Sequence, residues 1–332
     1  MIAEGHIAGD AALLDVRQLH VEFPIRQGIL LARQVGAIAA VDGISLHVGS
    51  GETLSVVGES GCGKSTLARA IMGLVKPTSG HIFFREKDIT SLSPSQMRPL
   101  RREIQLVFQN PYACLNPRMT AYQNIAEPLR MFGLSKEERH TRVMKALEQV
   151  QLLPEQLARY PFAFSGGQRQ RIGIARAIAV EPSVIVLDEP VSALDVSVQA
   201  GVLNLLKDIQ SHTGIAYLFI AHNLAVVGHM SNRVAVMYLG RIVETAPRNR
   251  IFKAAAHPYT QALLSAAPIP DPVRERRRQR IVLTGDVPNP ARRPSGCGFR
   301  TRCPKAREIC SHVDPPPRQM TSDHEVCCHF PS

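Results

Sequence analysis

The sequence predicts an α/β fold, and three observations point to it. The apolar stretch Thr53-Leu54-Ser55-Val56-Val57 runs directly into a glycine-rich segment and then into a helical pattern. The continuous β-branched run over residues 183–187 marks a strand buried on both faces, and it ends in two acids, Asp188 and Glu189. A further buried strand, residues 215–220, follows an amphipathic helix over 196–211.

Taken in order, residues 16–23 and 39–48 read as strands, and Gly51 turns the chain into the strand at 53–57. A helix over 66–74 stops near Lys76-Pro77, as proline demands. Residues 81–84 and 104–108 are short strands. From 119 to 159 the pattern turns helical and polar. Residues 134–151 carry apolar positions at helical spacing, with Ser135 as the cap ahead of Glu137 and Glu138. Residues 233–238 and 241–244 form a hairpin over Leu239-Gly240. A helix over 259–266 closes the main domain at about residue 267. Pro268, Pro270 and Pro272 then mark a linker, and the tail to residue 332 is rich in Pro, Arg and Cys.

The chain has 332 residues, 45% of them hydrophobic, enough for one large core and a small appended unit. No apolar run approaches the roughly 18 residues that cross a bilayer. The first twelve residues read as a flexible N-terminus. They lack a basic n-region and a long apolar core, so they do not resemble a signal peptide and a cytoplasmic setting is expected. Net charge is +11, with a late arginine run at Arg274, Arg276, Arg277, Arg278 and Arg280. That run reads as a solvated linker face or as a contact for anionic headgroups. With no Trp and 5% aromatics, a stacking platform for single-stranded nucleic acid is poorly supported. Of seven cysteines, Cys62 and Cys114 stand alone and five fall between Cys297 and Cys328. Such clustering in a cytoplasmic chain argues for metal or cluster ligation over disulfides.

Gly58, Glu59, Ser60, Gly61, Cys62, Gly63, Lys64, Ser65 and Thr66 match G-x-x-x-x-G-K-[ST], the P-loop, in its strand-to-helix context. Glycines let successive backbone N–H groups turn inward as an anion nest, and the following helix aims its positive end at the same spot. Lys64 adds a point charge for β and γ phosphates, and Ser65 supplies a hydroxyl to Mg²⁺. At the end of the 183–187 strand, Asp188 fits the Mg²⁺-holding acid, and Glu189 is placed to polarise an attacking water. Ser165, Gly166, Gly167 and Gln168 open a helical run and form a second anion nest. One monomer has no need of two γ-phosphate sites, so the second nest reads as closing on ATP held by another subunit.

At this point the chain resembles the ATP-binding cassette (ABC) ATPases, whose signature is LSGGQ; here Phe164 stands in place of the leucine. The resemblance implies that Gln109 senses Mg²⁺ and the attacking water. It also implies that Asp195 crosses the dimer interface and that His222 contacts the γ-phosphate. Phe23 falls near where the family stacks an aromatic on adenine; a core position in its strand is the alternative. The implied fold is a RecA-like α/β core, an antiparallel β subdomain and a helical signature subdomain at about 115–180. These make up an ATPase domain over 13–267, with residues 268–332 as a Cys-rich extension. The strands and helices read above are compatible with that architecture without demanding it.

Local wording is narrower. Val107-Phe108-Gln109-Asn110-Pro111-Tyr112, Tyr160-Pro161, and His257-Pro258-Tyr259-Thr260-Gln261-Ala262-Leu263-Leu264 are similar to the ATPases of dipeptide/oligopeptide importers, most of all to the second of their two paired subunits. This resemblance implies ATP hydrolysis that drives solute import, at the cytoplasmic face of the membrane. The implied partners are a second homologous ATPase in a heterodimer, two transmembrane permease subunits and, indirectly, a secreted or lipid-anchored binding protein, with no nucleic acid. It further implies a 4Fe–4S cluster on Cys297, Cys303, Cys310 and Cys328. Four thiolates suit tetrahedral zinc as well, though the C-x2-C spacing of structural zinc is absent. Cys327 adjoins Cys328, and the family pattern favours the latter. A soluble ABC ATPase acting on nucleic acid or ribosomes is the second reading. Such proteins carry paired cassettes or long coiled-coil insertions, and this chain has neither.

Overall fold

The computed structural model describes residues 12–27, 33–110, 114–267 and 280–332. Most of the N-terminal segment, Pro111 and Tyr112, the linker prolines, and Arg274, Arg276, Arg277 and Arg278 lie outside these residues.

Two sheets organise the chain. The first is antiparallel, in the order β2-β1-β4-β5: β1 (Leu14–Gln27), β2 (Arg33–Val48), β4 (Ser79–Phe84) and β5 (Lys87–Asp88). The second has eight strands in the order β11-β12-β10-β9-β3-β8-β7-β6. Its parallel part comprises β3 (Thr53–Val57), β6 (Ile104–Val107), β7 (Val184–Asp188), β8 (Ala216–Ala221) and β9 (Arg233–Tyr238). β10 (Arg241–Pro247) returns antiparallel to β9. The connecting turn has Leu239 at φ 43° and Gly240 at φ 82°. Two successive positive φ angles are what a twisted hairpin needs.

β3, β7 and β8 are buried at every position, so their sequences read as apolar runs and not as alternations. Their side chains nonetheless divide by parity. Ile185, Leu187, Tyr217 and Phe219 pack with the helical side of the molecule, while Val184, Val186, Leu218 and Ile220 pack towards the antiparallel sheet with Leu14, Val16 and Ile82. The helical side holds α3 (Ala121–Met131), α4 (Lys136–Gln149) and α5 (Gly166–Ile178), whose Ile125, Val143 and Ile172 join one core. Ser135 caps α4 through a reciprocal bond pair with Glu138, as its sequence predicts.

The other α-helices among the described residues are α1 (Lys64–Ile71), α2 (Pro94–Glu103), α6 (Val196–Thr213), α7 (Leu224–Met230), α8 (Arg248–Ala254), α9 (Pro258–Ala266) and α10 (Ile309–His312). Among the described residues, no helix is long and apolar enough to cross a membrane.

The C-terminal segment is built into the core sheet. β12 (His324–Val326) pairs antiparallel with β10 in the register Glu244↔Val326, and β11 (Arg318–Thr321) pairs with β12. Buried Glu244 fastens this edge. It accepts the Ala256 and His257 N–H groups at 2.7 and 3.0 Å and pairs with His324 at 2.8 Å.

Candidate functional site

Strand register brings the site together. Val57 of β3 lies beside Ala221 of β8, Ile220 beside Asp188 of β7, and Leu187 beside Val107 of β6. The loops beginning at Gly58, Glu189, His222 and Phe108 therefore leave one edge of the sheet side by side. This edge, at the carboxyl ends of parallel strands, is where α/β sheets bind ligands.

The 58–66 loop has the backbone that the nest requires. α1 begins at Lys64, two residues before the sequence reading, because Gly63 at φ 108° serves as its cap. A Cβ on Gly63 would meet Ala40 O at 1.9 Å, and one on Gly58 would meet Met237 O at 2.1 Å. Both contacts are with backbone, so only glycine fits. Lys64 is buried and donates from Nζ to Gly58 O at 2.8 Å and Glu59 O at 2.9 Å. The helix N-terminus and this ammonium together form an electropositive cradle for phosphate. Cys62 is buried, and desolvation raises its thiol pKa, so it is no nucleophile here.

Beside the cradle, Ser65 Oγ donates to Asp188 Oδ1 at 3.0 Å. Burial raises the Asp188 pKa, the Ser65 hydrogen bond opposes that shift, and the Glu189 charge adds to it. A desolvated carboxylate joined to a hydroxyl is a hard oxygen pair, and it fits Mg²⁺. The next residue, Glu189, has φ 49°, a left-handed conformation that costs a non-glycine residue about 1–2 kcal/mol. Its N–H donates to Ile220 O at 3.0 Å, which holds the turn. Gln109 Nε2 donates to Glu189 Oε2 at 2.8 Å, and His222 Nδ1 lies 3.2 Å from the same oxygen. Gln109 and His222, both implied by the resemblance, thus each meet Glu189.

Ser165 caps α5: its Oγ accepts the Gln168 N–H at 3.3 Å, and Gln168 Oε1 accepts the Ser165 N–H at 3.0 Å. Phe164, the departure from the signature, is buried in the core. Gly166 and Gly167 pack on Leu194 and Val198, at the start of α6. Among the described residues, no hydrogen bond joins 165–168 to 58–66. Asp195, the residue before α6, makes no side-chain cap bond and is exposed, and Val196 beside it is 82% exposed. Phe23 is 41% exposed on β1, which excludes the core alternative.

The cysteine expectation finds no support. Cys297, Cys303, Cys310 and Cys328 do line one cavity with His257, Phe299 and Phe330. Among the described residues, however, no three His, Cys, Asp or Glu side chains are grouped so as to hold a metal ion. Burial raises the Cys297 thiol to about 11 and raises Cys303 and Cys328 as well.

Sequence reading missed two residues that grip the phosphate loop. Tyr259 Oη accepts the Glu59 N–H at 2.9 Å, and Arg302 pairs with the Glu59 carboxylate at 2.7 Å. Neither has a local signal, because each contact joins residues about 200 or more positions apart.

A strand-borne glycine-rich loop with its buried lysine, the Ser65–Asp188 oxygen pair, Glu189 met by Gln109 and His222, and a separate capped glycine turn are the arrangement of an ATP-binding cassette. The comparisons agree: the family described as "ABC transporter" matches residues 41–192, and "Oligopeptide/dipeptide transporter, C-terminal region" matches 243–310. The chain is 52% identical over 319 residues to a probable peptide ABC transporter ATP-binding protein, y4tS, of Sinorhizobium fredii, covering 96% of this chain and 90% of that one. It is 51% identical over 323 residues to the oligopeptide transport ATP-binding protein OppF of Escherichia coli, covering 96% of each. Among solved structures, cbiO1 of Clostridium perfringens, part of an ABC transporter complex, superposes with a TM-score of 0.63 at 28% identity, over 73% of this chain and 91% of that one. This chain belongs to the ATP-binding subunits of oligopeptide-type ABC transporters. It is an ATPase of that family, whose subunits work with membrane permeases.

Proposed function

We propose that this chain binds ATP between its own 58–66 loop and the 165–168 segment of a second ATPase subunit, and that hydrolysis powers the import of peptides. One observation carries the reading. Gln109 and His222 converge on a single oxygen of Glu189, next to the Ser65–Asp188 pair, while the Ser165 nest stands apart from them. Half of the cage is built here, and the other half faces outward.

In this reading Lys64 and the loop N–H groups seat the phosphates, with Gly58, Gly61 and Gly63 allowing the close approach. Ser65, Asp188 and Gln109 would hold Mg²⁺, which would neutralise charge on the β and γ phosphates when bound. Glu189 accepts the proton of the attacking water, and His222 orients both Glu189 and the γ-phosphate. Phe23 offers its exposed ring to adenine. Asp195 and Val196 lie on the surface that the second subunit covers. The domain division is an ATPase domain over 13–267, with a helical part at about 115–180, and an extension from 268.

The peptide substrate follows from the relatives' names and from the match of the C-terminal region. The finer parts of the proposal are a heterodimer with a homologous ATPase, two permease subunits, a binding protein outside the membrane, and a peripheral position on its cytoplasmic face. The decisive experiment is co-expression with the permeases and second ATPase of the same transporter, followed by peptide-stimulated ATP turnover in proteoliposomes. Turnover without any peptide response, or assembly only as a homodimer, refutes the corresponding part. The 4Fe–4S assignment stands or falls separately: anaerobically purified chain would contain iron and sulfide, and a metal-free or zinc-bound protein excludes it.

A further inference from the structure

The C-terminal segment reaches back to the phosphate loop through a buried ion pair. Arg302 Nη1 and Nη2 donate to Glu59 Oε2 and Oε1 at 2.7 and 3.1 Å. The guanidinium is 8% exposed and the carboxylate 26%. The two-pronged geometry fixes orientation as well as charge, which a lysine cannot reproduce. Arg302 is itself held by its N–H bond to Phe299 O at 3.0 Å. Phe299 is buried against Tyr238 and Tyr259, with ring centroids at 5.3 and 5.4 Å. Tyr259 then takes the Glu59 N–H, and Glu59 O takes Lys64 Nζ.

Glu59 is therefore gripped at carboxylate and N–H by residues from outside its loop, while its carbonyl seats the phosphate-binding lysine. Its charge has the wrong sign for its place. A carboxylate one residue into an anion nest repels the ligand that the nest attracts, and at partial burial that repulsion is only weakly screened.

We propose that Arg302 is a positioning residue of the ATP site: it cancels the Glu59 charge beside the backbone that seats Lys64. The C-terminal segment thereby sets how tightly this subunit holds ATP. The proposal rests on the reading of 58–66 as the ATP loop.

The test is MgATP binding to the purified full-length chain by calorimetry, with melting curves as a fold control. Arg302→Ala should weaken binding roughly tenfold, as an uncancelled charge near the phosphates requires. In the Glu59→Gln background the same substitution should change affinity by less than about twofold, because no charge remains to be cancelled. A purely structural tie would give equal losses in both backgrounds, and that result overturns the proposal, as does an unchanged affinity for Arg302→Ala. If Arg302→Ala does not fold, Arg302→Lys replaces it, with an expected loss of about threefold beside Glu59 and none in the Glu59→Gln background; equal losses in both backgrounds, or no loss in either, would again overturn it. A wild-type chain that does not bind MgATP refutes the reading of the loop. A wild-type chain that binds, with Arg302 variants that bind equally well, refutes only the role of Arg302.

Discussion

Gln109 and His222 meet the same oxygen of Glu189, at 2.8 and 3.2 Å, from loops that leave different strands. The carboxylate is thus aimed from two sides while its own backbone is held in a left-handed turn. Such an arrangement specifies the direction in which Glu189 presents its second oxygen. Glu189→Gln keeps the size and one hydrogen-bond acceptor but removes the base. Turnover by the assembled transporter should fall by about 10²–10⁴-fold, with ATP still bound. A subunit complex that stays closed on ATP in gel filtration would accompany the loss, and undiminished phosphate release would refute the role of base.

Ser165 has two separable duties. As the cap of α5 it satisfies an N–H of the first turn, so Ser165→Ala should cost about 1 kcal/mol of stability, seen as a lower melting temperature of the isolated chain. Ser165→Asn retains capping ability and should melt close to wild type. Both variants should still bind ATP at the 58–66 loop, yet both should lose ATP-dependent association with the second subunit. Association that survives both changes would remove the serine from the shared site.

Phe23 presents an exposed ring, so its removal has little core to disturb. Phe23→Ala should leave the melting temperature nearly unchanged and weaken ATP binding by about 1–3 kcal/mol, the range for stacking on a base. Equal affinities for ATP and inorganic triphosphate in the wild-type chain would show that no such stacking occurs.

His257 supplies a pH test. It is buried as the cap of α9, its Nδ1 accepts the Tyr259 N–H at 3.0 Å, and desolvation lowers its pKa to about 3. The unfolded chain would protonate this histidine below about 6.5 while the folded chain would not. Stability from this group is therefore fully present above pH 6.5 and declines as pH falls from there towards 3, by up to about 1.4 kcal/mol per unit. His257→Asn keeps an acceptor for the cap. Its melting temperature should vary less between pH 6.5 and 5 than that of wild type, and identical slopes would assign the acid sensitivity elsewhere.

Much of this site was readable before the fold. The 58–66 loop, the acids closing β7 and the turn at Leu239-Gly240 are local patterns with local physics, and each sits where its spacing placed it. α2 was not read because Met97 is its one buried position and Pro99 lies inside it, so capping by Ser93 carries more of its signal than periodicity does. β11 and β12 escaped because they are four and three residues long, too short for alternation to register. The grip on Glu59 was invisible for a different reason: an arginine beside a cysteine says nothing about a carboxylate 243 positions away. The cysteine cluster shows the converse. The family resemblance implies four ligands, and the four do line one cavity, yet among the described residues no group able to hold a metal ion forms there.

Because β12 and β11 extend the same sheet that carries the chemistry, the tail is no detachable ornament. Cutting the chain after α9 to obtain a minimal motor would bare the hydrogen-bonding rim of β10 and take His324 away from the interior carboxylate of Glu244. Such a fragment would tend to recruit strands from its neighbours. Shortened versions of this subunit should therefore precipitate or stack before they can be assayed.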